Sequence, residues 1–461
     1  MTQSATPVGP TESWATFASG IKCERLPSAL VSPLKSLVLD TVGVALAAST
    51  LGECCDQVAS VVRGNPGAPE CTVLGYADRA GSLMAAFANG ALAHALNFDA
   101  LGHAGEHTGV AAVIAPLTIA EQRGQIPGTE LLAAVAVAAE FTARLMGALA
   151  AAGVDANEKF LEGQLLSYFG AAAGAGRVLR FTPEKMHSVL GLALMQASGT
   201  RQVSFEGGPA KAIYGAYANH SAVLSTLLAQ QGIDARCAVL DGRAGVFRLF
   251  YDGKHDPSVL TDGLGERYLS DDVQFKPWPT SNMLHPFIEA CQNLRAKHRI
   301  DPAAIRDIRV RVGTHAAHWL EPEAERRNPS NGATAANSIY FGVARTLALG
   351  NVTLADFTPQ GMANPASRRL AGLMHCTVDP AVGKGASVEL ILGDEQSLVA
   401  DVGARSQPMS ESRIVAKFRD CAKHAARPIA DARLDEFIER VGNLEHEADA
   451  GALLALLGNR R

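Results

Sequence analysis

The feature that most constrains the fold is a helical apolar period that persists from about residue 32 to residue 231. Segments such as 34–45 and 131–149 place apolar residues at i, i+3, i+4 and i+7, which is the spacing of one helix face. Most of these segments are apolar around nearly their whole circumference, as is typical of helices inside a large all-α assembly or at a subunit interface. The abundance of alanine, together with 44 glycines, favours close helix packing over a β-sandwich.

Capping residues mark where several of these helices begin. Ser32-Pro33 and Thr182-Pro183 each supply an N-cap side chain followed by a proline at the first helical position. Further helices are predicted over residues 85–96, 109–121, 129–149, 165–179 and 209–231.

The pattern changes near residue 270. Two prolines bracket Trp278 in the run KPWPT, which excludes a helix there. Residues 305–312 then alternate apolar and polar like a half-buried strand, and residues 387–392 and 397–402 predict a hairpin. The sequence therefore predicts a mainly α protein, with an all-helical domain of residues 1–272 and 405–461 and an inserted α+β lid domain of residues 273–404 that contains an antiparallel sheet.

Composition excludes several classes of function. Lys and Arg number 41 against 46 Asp and Glu, a formal charge of −5, so no nucleic-acid partner is expected. The polar N-terminus has no signal-peptide pattern, the longest apolar run (131–139) is too short to span a bilayer, and no membrane partner is expected. The eight cysteines form no CxxC motif and are typical of reduced core thiols. We expect a cytoplasmic protein.

Common nucleotide and hydrolase motifs are absent from the sequence. There is no GxxxxGK[ST] and no GxSxG, and Gly174-Ala-Gly176 lacks both a third glycine and a preceding strand. A P-loop enzyme, a Rossmann enzyme or a serine hydrolase is therefore not favoured.

A cluster of histidines lies in the segment HALNFDALGHAGEHTG. His94, His103 and His107 fall within fourteen residues, with Asp99 and Glu106 among them. Histidine and carboxylate are zinc ligands, but the spacing is not HExxH and two glycines indicate a loop, so no metal is expected. A polar loop with incidental histidines is the plain alternative.

Two lysines stand where a helix is predicted to begin. Lys211 follows Gly-Gly-Pro-Ala in the first turn of an apolar helix, where the positive end of the helix dipole disfavours a cation. Lys276 precedes Ser281-Asn282, which resemble the caps of another helix. An anionic ligand would relieve both charges. The alternatives are a solvated lysine on a frayed turn and a surface loop at a domain junction.

Taken together, these basic side chains suit a small polycarboxylate. We expect Lys211, Lys276 and His107 to gather in a crevice between the helical domain and the lid. Lysines and backbone amides would hold the carboxylates, while histidine, whose ordinary pKa is about 6.5, would move a proton at neutral pH. The natural chemistry is proton transfer at the carbon alpha to a carboxylate, which needs no redox cofactor.

The runs NGALAHALNFDA, HAGEHTG, LDTVGVALAAS, SFEGGPAKAIYGAYANHS and KPWPTSNMLHPFIEA resemble the MmgE/PrpD family. Its members include 2-methylcitrate dehydratase, cis-aconitate decarboxylase and iminodisuccinate epimerase. The resemblance covers about residues 14–425 and implies the same architecture, a homodimer, no cofactor and a small carboxylic acid substrate.

The resemblance at the site is partial. Where the family reads D-F-D-D-T, this chain has Asn97 and Leu101 in place of the first Asp and the Thr, and it keeps Asp99. His107 matches the histidine of the family's H-P, and Leu161 stands where a second histidine is expected.

Two lysines match as well. Lys211 corresponds to the lysine of K-x-x-[HN], with Tyr214 in the last position, and Lys276 to that of K-x-[YF]-P. The lid motif A-K-x-S is present without its lysine, as residues 335–338. The resemblance implies that His107, Lys211, Lys276 and Asp99 are catalytic. The candidate substrate contacts are Asn97, Leu101, His103, Leu161, Tyr214 and Ser281.

Three hypotheses remain open. The first is a cofactor-independent lyase, a dehydratase or decarboxylase, with His107 as proton carrier and Asp99 as its orienting or second proton-transfer group. The second is an isomerase or epimerase in the same pocket, which needs proton carriers on two faces of one carbon. The third is a binding homologue without catalysis, which the substitutions at Asn97, Leu101 and Leu161 permit.

Overall fold

A computed structural model describes residues 9–76, 78–102, 104–155, 159–206, 208–393, 395–404 and 408–458, apart from the side chains of residues 162, 163 and 205. The chain forms two compact units, one of residues 1–95, 99–275 and 410–461 and one of residues 96–98 and 276–409. The mainly α fold class is confirmed. The domain limits at residues 272/273 and 404/405 stay predictions, and the structure groups residues 96–98 with the second unit.

Within its described residues, the first unit is helical apart from a short antiparallel pair of strands and two isolated β-bridges. Up to residue 275 its elements are α1 Pro10–Gly20, α2 Ser28–Leu51, α3 Cys55–Gly64, β1 Cys71–Val73, β2 Asp78–Ala80, α4 Ser82–Ala95, α5 Thr108–Ala112, α6 Ile114–Arg123, α7 Gly128–Ala151, α8 Glu162–Val178, α9 Pro183–Leu194, α10 Gln202–Phe205, α11 Tyr214–Gln230, α12 Val246–Tyr251 and α13 Pro257–Thr261. Short 3₁₀ turns occupy Cys23–Arg25, Pro209–Ile213 and Leu269–Asp271.

The second unit contains a four-stranded sheet and further helices. Its elements are α14 His285–Lys297, β3 Ile305–Val312, α15 Glu323–Arg327, α16 Gly332–Ala336, α17 Ile339–Leu349, α18 Pro359–Met362, α19 Pro365–Gly372, β4 Met374–Val378, β5 Ala386–Leu392 and β6 Ser397–Val402, with 3₁₀ turns at Asn282–Leu284, Pro302–Ala304, Thr314–Leu320, Leu354–Phe357 and Pro380–Val382. The chain then returns to the first unit with α20 Glu411–Ala422, α21 Asp431–Gly442 and the 3₁₀ turns Leu444–His446 and Gly451–Leu456.

Helix α7 lies at the centre of the first unit. Every residue from Leu131 to Leu149 is buried, which explains why this segment is apolar on all sides. The two charges of this buried stretch pair with each other, because Arg144 Nε donates to Glu140 Oε1 at 2.6 Å. The Arg144 guanidinium also donates to backbone carbonyls near residue 262. Helices α2 and α7 are long and apolar enough to cross a membrane by length and composition, but 67% and 100% of their apolar windows are buried within the protein.

The sheet of the second unit has the strand order β4-β3-β5-β6. Strand β3 has the predicted limits and buries Ile308, Val310 and Val312 on one face, as its alternation requires. The predicted hairpin is present as β5 and β6, which pair antiparallel. Strand β4 adds a parallel edge that the sequence analysis did not predict.

Several predicted helices have different limits in the structure. Helix α2 begins at Ser28 rather than at Ser32, so Pro33 lies inside it. The predicted helix over residues 109–121 is divided into α5 and α6 at Val113, and the one over residues 209–231 is a 3₁₀ turn followed by α11. The N-cap role of Thr182 is confirmed, since its side chain accepts a hydrogen bond from the Lys185 amide.

Candidate active site

The loop between α4 and α5 carries the predicted histidine cluster. Its fold depends on Glu106, which is fully buried. The Glu106 carboxylate accepts from the Ala104 amide at 2.9 Å, and its carbonyl accepts from the Gly102 amide at 2.8 Å. A Cβ at Gly102 would lie 1.9 Å from Glu106 Oε1 and 2.3 Å from Thr108 Oγ1, so a side chain there would displace the buried carboxylate. The turn delivers His107 to the N-cap position of α5 and confirms that this segment is a loop.

His107 and Asp99 form a short hydrogen-bonded pair. His107 Nδ1 lies 2.6 Å from Asp99 Oδ2; the Asp99 side chain is fully buried, and that of His107 is 22% exposed. Burial alone would raise the pKa of the Asp99 carboxyl, but the charge and hydrogen bond of His107, helped by His94, hold this pKa well below its ordinary value. Asp99 is therefore an anion at neutral pH, and it fixes the orientation of a partly exposed imidazole.

His94 completes the group, and the sequence analysis did not assign it a role. It lies in the last turn of α4, and its Nδ1 is 3.5 Å from Asp99 Oδ1. Its ring meets the His107 ring edge to face, with centroids 4.4 Å apart, and lies nearly parallel to the Tyr214 ring at 5.9 Å. We call His94, Asp99 and His107 the His–Asp–His cluster. The sequence feature that could have identified His94 is its position in the last predicted helical turn before the loop.

The helices around the cluster are held together by the buried side-chain amide of Asn219. Asn219 of α11 donates to the carbonyls of Val110 and Gly215 and accepts from the amide of Ala115. These bonds tie α11 to both α5 and α6 across the break at Val113. The start of α5, where His107 lies, is therefore fixed relative to Tyr214 at the start of α11.

A buried ion pair lies beneath the same loop. Lys417 Nζ of α20 is 2.7 Å from Asp40 Oδ1 of α2, with both side chains almost completely buried. Burial raises the pKa of Asp40, Lys417 opposes that rise, and the charge of Asp99 adds to it. Asp40 is therefore close enough to Asp99 for their charges to interact, so helix α20, which carries Lys417, contributes to the electrostatics around the cluster.

Lys211 lies in the 3₁₀ turn Pro209–Ile213, half-buried, and this turn packs against α4, the helix of His94. The prediction that Lys211 occupies the first turn of the long helix is wrong, because α11 begins three residues later at Tyr214. A 3₁₀ turn of five residues carries only a small dipole. The argument for an anion near Lys211 therefore rests on its place beside α4 and not on a helix dipole.

Two of the apolar candidates are also located in the first unit. Leu101 is buried, and its backbone forms an antiparallel bridge with Gln274, with hydrogen bonds of 2.9 and 2.7 Å. Leu161 is partly buried at the N-cap of α8, where its amide donates to the Gly199 carbonyl. His103 lies outside the described residues.

The remaining candidates belong to the second unit. Lys276 is buried, and its Nζ donates to both the backbone carbonyl and the side-chain Oδ1 of Asn97, each at 2.8 Å. Asn97 adopts a left-handed conformation, with φ +50°, which asparagine tolerates better than most residues. Ser281 is the N-cap of a 3₁₀ turn, and its hydroxyl accepts from the Met283 amide.

Two family models match this chain, the MmgE/PrpD N-terminal domain over residues 12–258 and the MmgE/PrpD C-terminal domain over residues 278–443. The chain belongs to the MmgE/PrpD family. Among curated relatives, a cis-aconitate decarboxylase-like protein of Aspergillus oryzae is 26% identical over 96% of this chain and 95% of its own length. The cis-aconitate decarboxylases of Aspergillus terreus and Homo sapiens are 24% and 25% identical over 97% of this chain, and over 96% and 94% of their own lengths.

This MmgE/PrpD protein is thus a divergent member that aligns with its relatives over nearly its whole length. The structure brings Asp99, His107 and Tyr214 together through His94, and it joins Lys276 to Asn97. The catalytic and substrate-binding roles of these residues stay predictions.

Proposed function

We propose that this protein is a cofactor-independent lyase that acts on a small di- or tricarboxylic acid, and that the reaction is a decarboxylation. The observation that carries the proposal is the 2.6 Å pair of His107 and Asp99, in which a buried anion orients a partly exposed imidazole. This arrangement is suited to general acid–base catalysis near neutral pH.

In the proposed reaction His107 supplies the proton. Asp99 accepts the Nδ1 hydrogen, so Nε2 is the ring nitrogen that exchanges a proton with the substrate. The bond between the substrate carbon and its carboxylate breaks, CO₂ leaves, and the electron pair stays on the carbon skeleton. The imidazolium then delivers its proton to carbon, and solvent restores it. The anionic Asp99 stabilises the imidazolium until that transfer.

Two lysines hold the substrate in this proposal. Lys211 lies on the turn that packs against α4, and an ammonium there would bind a carboxylate of the acid. Lys276 is buried against two uncharged oxygen atoms of Asn97 and is the second proposed carboxylate contact. The convergence of both lysines on His107 is part of the proposal.

The substituted positions favour decarboxylation over dehydration. Asn97, Leu101 and Leu161 stand where the family pattern has Asp, Thr and His, and none of the three can carry a proton. A dehydratase must assist the departure of a hydroxyl group, which requires an acid, whereas a decarboxylase loses neutral CO₂ and needs only one proton donor. The relatives from Aspergillus terreus and Homo sapiens are cis-aconitate decarboxylases, which supports the same choice.

The experiment is a ¹H NMR assay of the full-length protein in D₂O, with cis-aconitate first and then other unsaturated and hydroxylated di- and tricarboxylic acids. A lyase of the proposed kind releases CO₂ and leaves one solvent deuteron on carbon in the product. Formation of an alkene with retention of every carboxylate would indicate a dehydratase instead. Exchange of the alpha proton with neither product would indicate an epimerase.

A fourth result would overturn catalysis altogether. If a thermal-shift screen detects acids that bind but none of them turns over, the chain is a binding homologue. Replacement of Lys254, an exposed lysine of the first unit, by Met provides a matched control, and its turnover should equal that of the wild type.

A further inference from the structure

We infer that the His–Asp–His cluster binds a divalent transition-metal ion of the zinc class as an inhibitor. The claim that the ion binds goes beyond the proposed function and does not depend on it. The claim that the ion inhibits rests on the proposed function, because the ion would replace the hydrogen bond from His107 Nδ1 through which Asp99 orients the imidazole and stabilises its protonated form.

The geometry brings three ligand atoms within reach of a single ion. One nitrogen of each imidazole and one Asp99 oxygen all lie within 4.8 Å of one another. Zinc bonds to nitrogen and oxygen are about 2.0–2.2 Å long, which places ligands of one tetrahedral ion about 3.3 Å apart. The distance of 2.6 Å between His107 Nδ1 and Asp99 Oδ2 must therefore increase slightly. The distance between His94 Nδ1 and the other oxygen, Asp99 Oδ1, is already 3.5 Å.

The charge of the ligand set also suits a cation. Metal ligands bind in their deprotonated forms, and one carboxylate with two neutral imidazoles gives the cluster a single negative charge. A dication replaces the proton shared between His107 and Asp99, which then moves to Nε2 of the ring or to solvent.

The surroundings hold the ligands in place. The His94 ring lies against Tyr214, and the loop built on Glu106 fixes the backbone of His107. Such outer contacts orient metal ligands and are worth roughly 10–100-fold in affinity. The 22% exposure of His107 gives the ion a path of entry.

The ligand types select the metal. Two imidazoles and one carboxylate suit zinc, copper, nickel or ferrous iron, whereas magnesium prefers a shell of oxygen atoms and retains its waters. Three protein ligands leave a fourth position for water or for a carboxylate of the substrate. We therefore expect Zn²⁺ to bind and Mg²⁺ not to bind.

A second group of zinc-binding residue types offers a matched control. Cys237 is an exposed free cysteine, His187 Nε2 contacts its carbonyl at 2.7 Å, and Asp234 lies three residues before it. His187→Gln removes an imidazole from this surface group and leaves the cluster untouched. Any zinc bound there would respond to this variant and not to changes at His94.

The test is isothermal titration of the metal-depleted full-length protein with Zn²⁺ and separately with Mg²⁺, without substrate. We expect His94→Gln and His107→Gln to weaken Zn²⁺ binding at least about tenfold, His187→Gln to leave it unchanged, and Mg²⁺ to give no binding. Titration with Co²⁺ should give the intense visible absorption of a tetrahedral site, and that absorption should disappear in His94→Gln.

Three results would each overturn the proposed metal site. The first is wild-type Zn²⁺ affinity in both His94→Gln and His107→Gln, and the second is loss of Zn²⁺ binding in His187→Gln. The third is an affinity for Mg²⁺ equal to that for Zn²⁺. Circular dichroism and thermal unfolding identify any variant that fails to fold. If one of the two cluster variants does not fold, the Zn²⁺ affinity of the other decides the result. If Zn²⁺ binds as expected but no acid turns over, the metal site stands and only the proposed lyase fails. If Zn²⁺ binds and turnover continues unchanged, the inhibitory claim fails.

Discussion

Gly90 of α4 and Gly215 of α11 face each other where these two helices cross. A Cβ on Gly90 would lie 2.4 Å from the Gly215 carbonyl oxygen, and one on Gly215 would lie 2.3 Å from that of Gly90. Such distances are well inside normal van der Waals contact, so only glycines allow this crossing. One turn beyond Gly90 lies His94, and immediately before Gly215 lies Tyr214, so the crossing sets the position of both rings.

Replacing Gly215 by Ala should therefore disturb both stability and the site. We expect a loss of about 1–3 kcal/mol in the free energy of unfolding, since the clash is with backbone and cannot be relieved by a side-chain rotation. Gly64→Ala at the end of α3 is the control, because nothing lies within 4 Å of its added Cβ. Urea denaturation of both variants measures the difference in the free energy of unfolding. Equal stabilities would contradict the close approach of the two helix backbones at Gly90 and Gly215.

The buried pair of Asp40 and Lys417 leads to a second prediction. Lys417→Met should cost about 3–5 kcal/mol, because it leaves the Asp40 carboxylate buried without its cation. The double variant Asp40→Asn/Lys417→Met should recover much of that loss, since no charge then remains buried. Denaturation of the two single variants and the double variant measures the coupling.

A control comes from the C-cap of the same helix. Lys423 pairs with Asp420 at 3.4 Å, but both side chains are more than half exposed. Lys423→Met should therefore change the free energy of unfolding by less than about 1 kcal/mol. If the two lysine variants were equally destabilised, burial of the Asp40 pair would not be the cause.

The low pKa of Asp99 predicts how stability depends on pH. A carboxyl whose pKa is lower in the folded protein than in the unfolded chain stabilises the fold above the unfolded value, about 3.9, and this contribution is lost as pH falls further. Asp99→Asn should cost about 2 kcal/mol at pH 7, and the difference from wild type should shrink below about pH 4. Chemical denaturation of the wild type and of Asp99→Asn from about pH 7 to pH 3 measures this difference in the free energy of unfolding. A difference that grows on acidification would contradict the assignment.

Lys211 should act on the substrate and not on stability. A hydrogen bond to a charged group contributes about 1.5–3 kcal/mol, so Lys211→Met should lower kcat/KM by roughly tenfold to a hundredfold. The half-buried position in a short turn predicts little change in the thermal unfolding temperature. Steady-state kinetics alongside Lys254→Met checks the prediction, and equal kcat/KM values in the two variants would remove Lys211 from the site.

Elements with a strong periodic pattern were predicted well from the sequence. Strand β3 has its predicted limits because its alternation matches a sheet with one buried face. Strand β4 was missed because only Met374 at its start is fully buried, so it shows no alternation, and its parallel pairing with β3 is a tertiary contact. The break between Ile213 and Tyr214 was missed for a similar reason, since Pro209 is as compatible with a 3₁₀ turn as with an α-helix.

Within the site, the sequence identified the pair and missed the third member. Asp99 and His107 were recognisable because they lie in one loop and match a family motif. His94 lies in an alanine-rich helix, and its approach to Asp99 depends on the loop conformation and on the crossing at Gly90. Spacing along the chain contains no information on that crossing.

The most direct test of the account is the turnover of cis-aconitate, or of whichever acid the NMR assay identifies, by the wild type and by His107→Gln. Glutamine retains a polar side chain but cannot carry a proton, so we predict that kcat falls by about 10²–10⁴-fold while the protein remains folded. A folded His107→Gln protein that releases CO₂ at the wild-type rate would contradict the central claim that the pair of His107 and Asp99 transfers the proton.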